Sequence, residues 1–165
     1  MNVLGFSVFV VFVTISLGGF FLTLRALFSL RAAKIQSAIQ LMPGRALLIG
    51  AVNILFFGVI ALVLFGIGNN LFGLIKAIPL LPAIFLAGVL TIGLSFGLTG
   101  MVQLVGERIF PDTSAWKQTL WGTVVLSFAC AVPVAGWFLL LPYAALTGFG
   151  AFILSFFSRP LVAEK

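Results

Sequence analysis

Acid–base chemistry in this chain of 165 residues would have to come from three carboxylates (Glu107, Asp112 and Glu164) and one thiol, Cys130, because there is no histidine. Without imidazole, the commonest metal ligand and the usual axial ligand of haem are missing. One cysteine cannot hold a zinc or iron–sulfur centre or close an intramolecular disulfide. In an apolar stretch such as that around Cys130, a lone thiol behaves as a small hydrophobe. No P-loop, no dinucleotide-binding glycine fingerprint and no His-Glu-x-x-His occurs. These residues predict no catalytic site, no metal site, no cofactor and no enzyme.

Two amides and a set of small residues remain. Asn53 and Gln103 sit within apolar runs, where an unsatisfied amide is costly. They read either as a polar spot lining a cavity or as hydrogen-bonding glue between helices that reach the same layer. Ala87, Thr91, Ser95 and Thr99 recur at a spacing of four. Gly93 and Gly97 lie beside that row, with Gly100 following, and Ala144 and Gly148 repeat the spacing further on. Small residues at this interval let helix backbones approach closely, either within one chain or on a face offered to another subunit.

The elements that hold these residues follow from composition. The chain is 62% hydrophobic and 7% charged, with a mean hydropathy of +1.32. Soluble domains carry about 25% charged residues, so lipid must solvate most of this surface. The net charge of +6 fits the excess of Lys and Arg in cytoplasmic loops and calls for no nucleic acid. The opening stretch lacks a basic n-region and exceeds the usual apolar length of a cleavable signal, so it reads as a first span.

Spans are predicted at about residues 3–24, 46–68, 80–105, 115–133 and 138–157, each near the roughly 20 residues needed to cross. Between the first two, Phe28, Ala32, Ile35, Ile39 and Met42 recur every three or four residues. That pattern predicts an amphipathic segment over about 26–42, lying along the cytoplasmic interface or extending the first span. Pro82 is expected in the first turn of its helix, where it is tolerated. Asp112, Thr113 or Ser114 is expected to cap the next one.

Residues 120–157 form one apolar run. As a single helix it would be roughly 57 Å long against a hydrocarbon core of about 30 Å. Pro133 and Gly136 supply a break and a turn, with Trp137 at the interface. Charge asymmetry favours the same reading. With the N-terminus outside, a hairpin places Arg25, Arg31, Lys34, Arg45, Arg108, Lys117, Arg159 and Lys165 inside and only Lys76 outside, eight against one. A single crossing would give six against three, which the positive-inside rule disfavours. The expected fold is therefore an all-α polytopic membrane bundle with no soluble domain: three transmembrane helices plus a C-terminal helical hairpin, five membrane helices in all, with the C-terminus cytoplasmic.

One pattern resembles a known group. It comprises Gly122, then Pro133-Val134-Ala135-Gly136-Trp137, then Gly148-Phe149-Gly150-Ala151, together with "IKAIPLLPAIF" and "LVGERIF". Over residues 46–157 this resembles small bacterial inner-membrane proteins associated with polymer-forming cytoskeletal (bactofilin-type) proteins. The resemblance implies a membrane partner or organiser and carries over no catalytic residue. The expected function is a non-catalytic membrane subunit that packs against other membrane proteins or itself. The alternative is a small channel or transporter for a neutral or lipid-like solute, with Asn53, Gln103 and the Thr91, Ser95 and Thr99 row lining its path. No acid or base lies in mid-membrane, which argues against proton coupling.

Overall fold

A long apolar run shielded from water satisfies its backbone N–H and C=O groups within its own segment when it forms a helix. The computed structural model describes residues 3–132, 134 and 136–157, and no strand occurs among them. Within these residues six α-helices follow one another: α1 (Val3–Leu27), α2 (Ser29–Leu41), α3 (Pro43–Asn69), α4 (Ala77–Ile109), α5 (Ala115–Ala131) and α6 (Leu141–Phe157). A 3₁₀ turn, Gly73–Lys76, joins α3 to α4, and a wide π-type turn, Gly136–Leu140, leads into α6. Four stretches are long and apolar enough to cross a membrane: Val8–Leu27, Pro43–Asn69, Gly73–Ile109 and Gly136–Phe157. At 17 residues, α5 reaches about 25 Å and falls short of a full hydrocarbon core.

The helix joints have local causes. Pro43 disfavours helical geometry in the residue before it. Met42 accordingly leaves the helical region (φ −140°, ψ 59°), and Pro43 opens α3 where its missing N–H matters least. The expected position of Pro82 is corrected: α4 begins at Ala77, so Pro82 lies inside the helix, beyond its first turn. Ser114 does occupy the cap position of α5, but its side chain makes no capping hydrogen bond. The loop before α5 is tied instead by Gln118, whose Nε2 donates to the carbonyls of Phe110 (3.1 Å) and Pro111 (3.3 Å).

The amphipathic segment is a separate helix, and its apolar stripe faces protein. Ala32, Ile35, Ala38 and Ile39 of α2 are buried, Ile35 completely, against α4 and α6. Phe28 and Met42, at the ends of the stripe, stay exposed. A glycine makes room for this contact. A Cβ at Gly100 of α4 would lie 2.5 Å from Cγ2 of Ile35.

The second half of α4 is the hub. Thr99, Gly100, Met101, Val102, Gln103, Leu104 and Gly106 are all buried, which requires neighbours on every side of the helix. Those neighbours are α2, α3, α5 and α6. The first half is different: Leu81, Ile84, Phe85, Val89 and Ile92 are exposed. Val8, Phe9, Phe12 and Ile15 of α1 and Leu55, Phe56 and Leu62 of α3 are exposed too. The bundle is therefore closed around the end of α1, α2, the start of α3 and the end of α4, and open toward the other end.

Candidate functional site

Direct backbone contact between helices dominates the closed end. A Cβ at Gly97 of α4 would lie 2.3 Å from the carbonyl carbon of Gly148 on α6, and one at Gly148 would lie 2.6 Å from that of Gly97. Gly50 of α3 and Gly150 of α6 repeat the arrangement, each facing a carbonyl of the other helix at under 2 Å from an added Cβ. Gly106 of α4 lies against Gln118 of α5, and Gly122 of α5 against Val102 of α4. No larger side chain fits at any of these points, so the glycines set the interhelical distances.

The small residues singled out by spacing divide into two groups. Gly93, Gly97, Ala144 and Gly148 are buried inside this one chain. Gly93 holds the ring of Phe149, which a Cβ would meet at 2.5 Å. Ala144 joins Ile35, Ala38, Ile39, Ala46, Met101, Leu104 and Ala151 in a continuous apolar core. The row on α4 splits along its length: Thr99 is buried, Ser95 is half-buried, and Thr91 and Ala87 are exposed. Its hydroxyls bond up their own helix, Thr91 to the Ala87 carbonyl, Ser95 to Thr91 and Thr99 to Ser95, each at 2.8 Å. Spacing alone does not reveal Gly106 and Gly122 as contact points, because each stands alone and its partner lies on the neighbouring helix, whereas Ala46 and Gly50 share the spacing of four seen at Ala144 and Gly148.

The two amides do not join. Asn53 Nδ2 donates to the Ile49 carbonyl of its own helix at 2.8 Å. Gln103 is only 3% exposed, and its Nε2 has no hydrogen-bond partner among the described residues. Thr147 Oγ1 on α6 is likewise buried without one. Arg25, at the end of α1, donates to the Ala115 carbonyl and to Thr119 Oγ1 at the start of α5. Glu107 accepts hydrogen bonds from Gln36 and Gln40, fastening α2 to the end of α4.

The turn between α5 and α6 depends on glycine. Gly136 N–H donates to the Val132 carbonyl at 2.9 Å. A Cβ there would lie 2.5 Å from the Cys130 carbonyl oxygen. Trp137 is exposed, and Pro133 lies outside the described residues, as does the C-terminal segment after Phe157. After the turn the two helices part. The chief neighbours of α5 are α4 and α1, and those of α6 are α3 and α4.

A pocket of about 270 Å³ lies between α3, α4 and α6, lined by Asn53, Phe57, Leu86, Val89, Leu90, Phe149, Phe152 and Ile153. Asn53 is the one polar side chain in that lining. No group of three or more Asp, Glu or Cys residues is placed to hold a metal among the described residues.

Comparison with protein-family models, curated proteins and solved structures finds no match to this chain.

Proposed function

We propose that this chain is a non-catalytic integral membrane subunit whose role is to pack against other membrane proteins, or further copies of itself, and so to organise a complex. The observation that carries this reading is the asymmetry of the bundle. Its closed end is packed through glycines. Its open end exposes the apolar faces of α1, α3 and α4, including the small, smooth row Ala87–Thr91. Such a row admits another helix backbone at short range. The polar groups near it bond up their own helices, which leaves shape as the basis of recognition.

In this reading the chain crosses the bacterial cytoplasmic membrane with its N-terminus outside. α5 and α6 form the two arms of a re-entrant or spanning pair, and the C-terminus returns to the cytoplasm. The support is the charge distribution: Arg25, Arg31, Lys34, Arg45, Arg108 and Lys117 all belong to the closed end. Polymer-forming cytoskeletal proteins of the bactofilin type are the partner class that the sequence resemblance suggests.

A photo-crosslinking residue placed at Thr91 in native membranes tests the subunit reading. Crosslinks to a second protein chain support it, and crosslinks to lipid alone contradict it. A second reading, binding or passage of a lipid-like solute, draws on the pocket beside Asn53.

A further inference from the structure

We infer that the pocket between α3, α4 and α6 is a binding site for a flat, apolar, ring-bearing lipid with a carbonyl group, the chemistry of a quinone headgroup. This deepens the lipid-like-solute reading and does not depend on the subunit reading, because every lining residue belongs to one chain.

Three features carry it. The first is Asn53. Its hydrogen bond from Nδ2 to the Ile49 carbonyl leaves a second N–H and the Oδ1 unpaired among the described residues, at a wall that is otherwise hydrocarbon. Leaving an amide donor uncompensated in an apolar setting is costly, and a ligand carbonyl accepting that second N–H would relieve that part of the cost. The second is the lining. Phe57 and Phe152 present ring surfaces, while the buried Phe149 closes the wall behind them, and aromatic rings favour offset or edge contact with another flat ring. The third is size. A dry cavity of about 150 Å³ accepts benzene, so about 270 Å³ admits one substituted ring, with a tail leaving through the open side toward lipid.

The walls are also held in place from behind. Phe152 stacks on Phe96 (centroids 5.6 Å apart, planes 12° apart) and meets Phe156 edge-on at 5.1 Å. Phe149 fills the notch at Gly93. Binding sites for small molecules are usually formed in advance in this way. A plain acyl chain would fill the volume but leave the amide unanswered.

The test is equilibrium binding of a radiolabelled alkyl-substituted benzoquinone to the full chain in nanodiscs. The expected result is saturation at one probe per chain. Asn53→Leu should weaken binding about tenfold, the loss of one hydrogen bond made in an apolar site. Val89→Phe, which narrows the pocket and leaves Asn53 in place, should also abolish saturation, with helix content and elution volume unchanged. A hydrocarbon of equal length lacking the ring should not compete. Non-saturable uptake, equal affinity in Asn53→Leu, or full competition by that hydrocarbon would each overturn the inference. The last result would mark the pocket as an ordinary acyl-chain groove.

Discussion

Gly97 of α4 and Gly148 of α6 meet backbone to backbone, each occupying the space a Cβ of the other would need. Substituting either with leucine forces the helices apart, and overpacking of this kind costs about 1–3 kcal/mol or more. Gly88, on the same helix, has nothing within 4 Å of the place a Cβ would take. Gly88→Ala should therefore stabilise α4 by roughly 0.5–1 kcal/mol through helix propensity. Unfolding of the purified variants in mixed micelles reads both effects. Equal behaviour of Gly97→Leu and Gly88→Ala would contradict the contact.

Gln103 is buried with its Nε2 unpaired among the described residues. Removing an unsatisfied buried donor by a substitution of similar length is near neutral or stabilising. Gln103→Met should thus leave stability unchanged or raise it by about 1 kcal/mol in the same unfolding assay. A loss of about 2 kcal/mol would show that the amide has a partner in the membrane.

The glycine and glutamine cases show how far the sequence can be read. The apolar runs, with their charged and Pro-Gly punctuation, mark the helices, because runs of this length and hydropathy suit membrane-crossing helices whose backbone groups bond within their own segment. The break after Ala131 is legible from Pro133 and Gly136. Gly97 and Gly148 are legible because each belongs to a run of small residues at a spacing of four. Ala46 and Gly50 carry the same spacing of four and are legible too, whereas Gly122 is not, since a lone glycine becomes a contact only when its partner on the neighbouring helix is known. The amphipathic stripe of α2 is visible, but what covers it is not. Periodicity marks an apolar face without distinguishing lipid from protein. Asn53 and Gln103 read from sequence either as a polar spot lining a cavity or as glue between helices; Asn53 takes the carbonyl one turn behind it, a local bond always available to Asn in a helix.

Glu107 joins Gln36 and Gln40 across two helices. Glu107→Ala removes the acceptor of both bonds, and losing about 1 kcal/mol of hydrogen bonding should speed amide exchange in α2 about fivefold. Exchange in α3 should not change. Unchanged protection of Ser29–Leu41 would mean that the burial of Ile35 alone holds α2.

Charge asymmetry sets the expected orientation of the α5–α6 pair. In a Cys130→Ser background, Trp137→Cys should react with a membrane-impermeant maleimide added outside intact cells. Trp116→Cys should react only after permeabilisation. Reaction of Lys165→Cys with the same reagent outside intact cells would remove the hairpin topology.

The subunit reading itself is tested most directly by native mass spectrometry of the chain released from its own membrane in nanodiscs or mild detergent. The account predicts a defined assembly heavier than one chain, formed with a second membrane protein or with further copies, and weakened when Thr91 is replaced by Trp. A strictly monomeric species with no accompanying protein, unaffected by Thr91→Trp, would contradict it.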